Sequence, residues 1–147
     1  DYVEIDGLGG TVREITMFNT VLNTPDNKRI SLPNDSVYKA KVVNYSAEPN
    51  RRLDLVFTIG YNDDYDKAKA LIEKVIRDCP LALYDPAPVV RMSGHGASAI
   101  EITTRVWVKN SDYFELQFRM YEDVKKTFDQ NGISIPFNQL DVHITQN

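Results

Sequence analysis

Polar and apolar residues alternate along Asp1–Ile5, as they do on a half-buried strand. Two longer β-like runs follow, Thr11–Leu22 and Lys28–Leu32, on either side of Thr24-Pro25-Asp26-Asn27. Pro25 presets φ for the first central position of a turn, and Asn27 tolerates the left-handed conformation that closes one. The second run stops at Leu32-Pro33-Asn34, since Pro33 has no N–H for a ladder. Asn34-Asp35-Ser36 is placed to cap a short helical turn over Val37–Ala40. Val42-Val43-Asn44-Tyr45 is one more β-branched run. Closely spaced short strands of this kind predict a small twisted β module. Glu48-Pro49-Asn50 disfavours continuation of either regular structure and marks the boundary with a second module.

In the second module the period changes. Leu53–Gly60 puts Leu53, Leu55, Phe57 and Ile59 on one face of a strand. Tyr65–Arg77 then carries Ala68, Leu71, Ile72, Val75 and Ile76 on one helical stripe, ended by Cys79-Pro80. After the stiff Asp85-Pro86-Ala87-Pro88 come two predicted strands, Val89–Met92 and Ala99–Val108, with Ser93–Ser98 as their hairpin loop. Asn110-Ser111-Asp112 is read as the cap of a second helix, Tyr113–Gln130. Phe114, Phe118, Tyr121, Val124 and Phe128 are its expected core face. Asn131-Gly132 supplies a left-handed helix stop. Ile133–Phe137 and Leu140–Thr145 are expected to be extended. From Arg51 to Phe137 the order is strand, helix, strand, strand, helix, strand, the split βαβ or ferredoxin-like pattern. The fold class is therefore α+β: a small N-terminal β domain (an Sm-like barrel or sandwich) at 1–48, a ferredoxin-like domain at 49–137, and a C-terminal strand at 138–147.

Composition narrows this picture rather than changing it. The chain has 147 residues, 42% of them hydrophobic, enough for a packed core. Its 17 Lys and Arg against 21 Asp and Glu give a net charge of −4, which argues against non-specific attachment to nucleic acid or anionic lipid. The one cysteine, Cys79, permits no internal disulfide and is expected to be a small buried apolar residue. No window approaches the roughly 18 apolar residues of a membrane helix. The opening residues fall in the middle of a strand-like alternation, so we expect the chain to be a portion of something longer.

Candidate chemistry reads mostly as structure. Gly7-Leu8-Gly9-Gly10 would cradle a phosphate only if a helix followed; β-rich Thr11–Phe18 follows instead, so a turn or bulge is expected. Asn62–Asp66 lacks the alternating ligands, glycine and distal Glu of a calcium loop. Asp63 and Asp64 are expected to act as helix caps. Arg51 and Arg52 should point to opposite faces of a strand, each toward a carboxylate. His95, at the expected hairpin tip, has no second ligand at metal-binding spacing. No catalytic, cofactor-binding or metal-ligating set is predicted, and no cofactor.

The terminal run is the leftover. In it Leu140, Val142 and Ile144 share one face, and Asp141, His143 and Thr145 the other. A spare strand is an edge hazard unless it pairs. A ring of identical strands from several copies abolishes the edge, through a heterologous interface.

Several short motifs resemble one family in order and spacing. They are Gly10-Thr11-Val12, Thr24-Pro25-Asp26, Leu32-Pro33-Asn34, and Asn44-Tyr45-Ser46 with Pro49 and Arg51-Arg52. Further along come Tyr61 with Asp63, Val106-Trp107-Val108, and Gly132–Phe137 with Gln139 and Asp141-Val142. Together they resemble the small-conductance mechanosensitive channel family, over essentially the whole chain. The resemblance implies a β domain near the membrane, a ferredoxin-like domain, and a C-terminal strand. It implies self-association as a homoheptamer whose terminal strands, Leu140–Thr145, close a small axial barrel beneath a hollow vestibule with side openings. It also implies that the full-length protein sits in the cell membrane through upstream helices, with this region facing the cytoplasm. Permeating ions and small solutes, released when tension rises, would be its other partners, and nucleic acid would not be one. The pore-lining helices are absent from this sequence, and Asn138-Gln139 replaces a step that often contains proline. A module binding single-stranded nucleic acid through surface aromatics is the competing reading of the two small folds. A small enzyme would need acids converging on His95 or His143.

Overall fold

The computed structural model describes residues 1–146. They divide into two compact units, Asp1–Pro49 and a second that starts at Asn50.

The first unit contains β1 (Tyr2–Ile5), β2 (Leu8–Ile15), β3 (Asn19–Asn23), β4 (Arg29–Pro33), α1 (Asn34–Lys39) and β5 (Val42–Asn44). They form one antiparallel sheet in the order β4-β3-β2-β1-β5. Asp6-Gly7 closes the first hairpin with positive φ at both residues, the mirror-image turn that matches strand twist. Asn27 also has positive φ, and its N–H donates to the Thr24 carbonyl at 2.9 Å. The expected single run Thr11–Leu22 is in fact two strands. A tight turn at residues 16–18 divides it, held by Thr16: its N–H donates to the Asn19 carbonyl at 2.8 Å, and its hydroxyl accepts from the Asn19 N–H at 3.0 Å. Asn34 pins the same turn. Its N–H donates to the Phe18 carbonyl at 2.8 Å and its side-chain amide to the Thr16 carbonyl at 2.9 Å, while its Oδ1 accepts from the buried Thr20 hydroxyl at 2.8 Å. Asn34 is thus the first residue of α1 and not its cap. Pro33 takes the cap position without a side-chain bond. Val3, Ile5 and Leu22 make the small buried core, with Ile30, Leu32, Val37 and Ala40 packed on it.

The second unit runs β6 (Asn50–Ile59), α2 (Tyr65–Asp78), β7 (Val89–His95), β8 (Ile100–Lys109), one 3₁₀ turn (Asn110–Asp112) and α3 (Tyr113–Gln130). The antiparallel sheet has the order β6-β8-β7. Both helices cover one face, α2 over β7 and α3 over β6 and β8. Leu53, Leu55, Phe57 and Ile59 are all buried on that face, as their alternation requires. Ala68, Ile72, Val75 and Ile76 of α2 meet them, along with buried Cys79. The order is that of a split βαβ unit whose closing strand would lie beside β6. Among the described residues nothing is laddered there: residues 133–146 form no regular element.

Three sequence expectations change here. The β7–β8 hairpin is tighter than expected, because β7 continues through a bulge at Met92/Gly94. The Tyr65 hydroxyl accepts from the Met92 N–H there at 3.0 Å. His95 therefore pairs with Ile100 at a strand end rather than sitting at a loop tip. The segment Asn110–Asp112 is a 3₁₀ turn, and no side chain of it caps α3. Finally, the buried line of α3 is Leu116, Met120, Val124 and Phe128. Phe114, Phe118 and Tyr121, expected in the core, are 64%, 60% and 49% exposed.

Candidate assembly site at the C-terminal segment

Helix α3 ends at Asn131-Gly132. Gly132 adopts positive φ, and the Ile133 N–H reaches back to the Phe128 carbonyl at 3.0 Å. This left-handed stop reverses the chain and drops Ile133 into the core.

The next residue is gripped from the turn that follows β6. Asp63 Oδ2 accepts from the Ser134 N–H at 3.1 Å and the Ser134 hydroxyl at 2.9 Å. The same oxygen accepts from the Gly60 N–H at 2.8 Å. Asp63 is therefore a clasp between the end of β6 and the root of the tail. Asp64 is the cap of α2, accepting from the Lys67 N–H at 3.2 Å. Lys67 Nζ adds a second tie, donating to the Asn131 carbonyl at 2.6 Å. Further on, the Gln139 N–H donates to the Ser98 hydroxyl at 3.0 Å in the β7–β8 turn. The Tyr61 hydroxyl donates to the Gly96 carbonyl in that turn. The tail thus crosses the ends of the strands, from β6 toward the hairpin, instead of lying alongside β6.

Beyond Gln139 the described chain is exposed throughout. Leu140, Val142 and Ile144 are 85%, 68% and 84% exposed. Asp141, His143 and Thr145 are exposed as well. The structure keeps the six residues of the expected site contiguous and uncovered but gives them no ladder within one chain. Apolar side chains at every second position, so exposed, are unfavourable in water by about 25 cal/mol for each Å² that could be buried.

The arginines of β6 divide as follows. Arg52 is bidentate to Asp54 at 2.7 and 2.9 Å, on the face away from the helices. Arg51 lies over the Tyr113 ring, 3.7 Å from its centroid, and that ring meets Phe114 edge-on. The stack was not legible in sequence, because Arg51 and Tyr113 lie far apart along the chain. Sequence reasoning likewise missed the Asp63–Ser134 clasp, although both residues stood in the motifs singled out. Their separation of 71 positions gave no local signal.

No helix among the described residues is long and apolar enough to cross a membrane. The profile described as mechanosensitive ion channel MscS, C-terminal, matches residues 53–135. That described as mechanosensitive ion channel, beta-domain, matches residues 1–47. A small-conductance mechanosensitive channel of Edwardsiella ictaluri is 37% identical over 146 residues, 99% of this chain and 51% of that protein. The crystal structure of Helicobacter pylori MscS in its closed state superposes with a TM-score of 0.94 at 32% identity, covering 100% of this chain and 58% of that one. Arabidopsis thaliana MSL1, at 17% identity and a TM-score of 0.76 over 93% of this chain, shares the fold. The chain spans about half the length of the relatives it matches.

Proposed function

Because the chain belongs to the MscS family of mechanosensitive ion channels, we propose that it forms the vestibule of such a channel and assembles through its C-terminal segment. The family relationship rests on matches to both parts of the chain. The observation that carries the proposal is the tail: apolar residues at alternate positions, rooted firmly at Ser134 and bare from Leu140 onward.

In this reading residues 1–48 form the membrane-proximal β domain, 49–137 the wall of the vestibule, and 138–147 one strand of an axial barrel. The full-length protein is a homoheptamer in the cell membrane, with this region facing the cytoplasm, and it releases ions and small solutes under tension. Parallel strands related by a rotation axis present the same residue at the same height in every copy. A row of Leu140, Val142 and Ile144 can then bury itself against its neighbours, and Asp141 or His143 becomes a ring of charge. Barrels of about eight strands leave an interior barely wide enough for side chains. Most solute would therefore pass through the side openings.

Native mass measurement tests the assembly step. The chain should be multimeric, and Val142→Asp, which puts a charge into the apolar row of every strand, should lower its mass. If an oligomer survives deletion of Leu140–Asn147 unchanged, the proposal is wrong.

A further inference from the structure

The first unit carries a group of charged side chains on the face away from its core. Strand alternation puts Val12 of β2 and Leu22 of β3 on the core side, and Arg13 and Val21 on the other. The register of β2 against β3 slips between Val12 and Glu14, so Arg13 is the extra residue of a bulge and Glu14 stands opposite Val21. Without that slip Glu14 would turn toward the core. With it, Arg13 and Glu14 stand side by side on the outer face. Asn23, two positions from Val21, and Arg29 of β4, which pairs with Asn23, share that face.

These residues ring an open hollow of about 400 Å³, with buried Val21 as its floor. Its polar groups are incompletely matched. Arg29 Nη2 lies 3.6 Å from Glu14 Oε2, an ion pair too long for a hydrogen bond. Arg13 has no ion-pair or hydrogen-bond partner among the described residues, and neither Glu14 oxygen accepts a hydrogen bond among them. The Asn23 side-chain amide donates to Asn27 Oδ1 at 3.0 Å, which leaves Asn23 Oδ1 as an acceptor. The nearby Asp26 is held by Lys28 at 2.6 Å and does not compete for the arginines. The hollow thus combines two forked guanidinium donors with one carboxylate and one amide oxygen that only accept.

We propose that this hollow binds a zwitterionic phosphate ester of the phosphoethanolamine kind. Guanidinium forks match phosphate oxygens in pairs, and one phosphate has oxygens enough for both Arg13 and Arg29. A bare phosphate would meet the Glu14 carboxylate as a like charge. An ammonium joined to the phosphate by a short linker removes that conflict, since it donates to Glu14 and Asn23 Oδ1 while the phosphate takes the arginines. The net charges agree as well. Two arginines against one glutamate leave a surplus of one positive charge, and a phosphate monoester bearing an ammonium is close to singly negative. The volume falls within the range of small-ligand sites. A free solute and the headgroup of phosphatidylethanolamine both carry this chemistry. The hollow lies wholly within one copy, so its occupancy does not rest on the ring reading given above.

The test uses the whole 147-residue chain. Titration with O-phosphoethanolamine, followed by amide NMR, should give saturable shifts at Arg13, Glu14, Asn23 and Arg29. Arg13→Gln and Arg29→Gln should each weaken binding at least tenfold, whereas Arg13→Lys, which keeps the charge and loses the fork, should lose less. Amide shifts of β1 and β5 that match the unaltered chain establish that each variant is folded. Glu14→Gln separates a zwitterion site from a merely basic surface: it should weaken phosphoethanolamine and strengthen inorganic phosphate. Sedimentation with phosphatidylcholine vesicles, with and without phosphatidylethanolamine, distinguishes the two sources. Extra binding to the mixed vesicles that is lost in Arg13→Gln identifies the headgroup. Saturable binding of the free ester without extra vesicle binding identifies a free solute. Absence of both overturns the proposal, as does binding that survives Arg13→Gln and Arg29→Gln unchanged. A Glu14→Gln effect of the same sign on both probes overturns it too.

Discussion

Replacing Asp63 with Ala should loosen the tail before it unfolds the domain. One carboxylate oxygen holds the Gly60 N–H, the Ser134 N–H and the Ser134 hydroxyl at 2.8, 3.1 and 2.9 Å. Hydrogen bonds to a charged acceptor are worth about 1.5–3 kcal/mol each when the donors are left stranded. Here the two donors of Ser134 are exposed and water can replace the acceptor, so each contributes far less than that range. The Gly60 N–H is partly buried and loses more. We expect about 1–2 kcal/mol in all, or roughly 5–10 °C in Tm for a unit of this size. The local effect should be sharper. Amide exchange at Ser134 and Ile135 should quicken by about tenfold or more, since about 1.4 kcal/mol of local opening free energy corresponds to a factor of ten. Asp63→Asn keeps one side-chain oxygen without charge and should fall between. If Ser134 exchanges in Asp63→Ala as slowly as in the unaltered chain, the tail is held by something other than this clasp.

Phe128→Ala and Phe118→Ala should separate core from surface. Phe128 is fully buried and its loss should cost about 3–5 kcal/mol in urea unfolding, whereas Phe118→Ala should change the stability of a single chain by about 0.5 kcal/mol or less. Gly10→Ala should destabilise the first unit, because a Cβ there would lie 2.9 Å from the Asn23 carbonyl oxygen; a lowered midpoint confined to that unit checks it. The Asp26 carboxyl is held below its ordinary value of 3.8, first by Lys28 and then by the Thr24 hydroxyl. A depressed folded-state pKa gives stability that is present above the ordinary value and lost as pH falls through the folded one. Asp26→Asn should therefore flatten the acid side of the stability profile of the β3–β4 hairpin, seen as unchanged Thr24 and Lys28 amide shifts across that range.

Where one residue type has one local use, the sequence was readable. Asn27 with positive φ, the cap at Asp64, and the strand face of Leu53, Leu55, Phe57 and Ile59 all follow from neighbours within a few positions. The α+β class and the element order followed from the same periods. The failures share a physical cause. Helix α3 carries two apolar stripes about a quarter-turn apart, and spacing alone does not say which one meets the sheet. The larger aromatic rings suggested one, but the sheet took the line of Leu116, Met120, Val124 and Phe128. The β2–β3 turn contains neither Gly nor Pro, and it is made by Asn34, eighteen residues downstream of Thr16. The Ser93-Gly94 step looked like a loop because glycine there serves a bulge. Of the assembly site, the alternation in Leu140–Thr145 was visible, whereas the grip on its root was not. That grip depends on residues brought together only by the finished sheet.

The clasp at Ser134 and the bond at Gln139 fix the point from which the tail departs. From Leu140 to Gln146 there are seven residues, which at ~3.3 Å each can span about 23 Å. Residues 140–146 of two copies can meet only where their anchor points lie within about 46 Å of each other. Inside that limit they encounter one another at the high local concentration that short linkers impose. Beyond it they cannot associate at all, so lengthening the leash, and not only altering its sticky end, should change which assemblies can form.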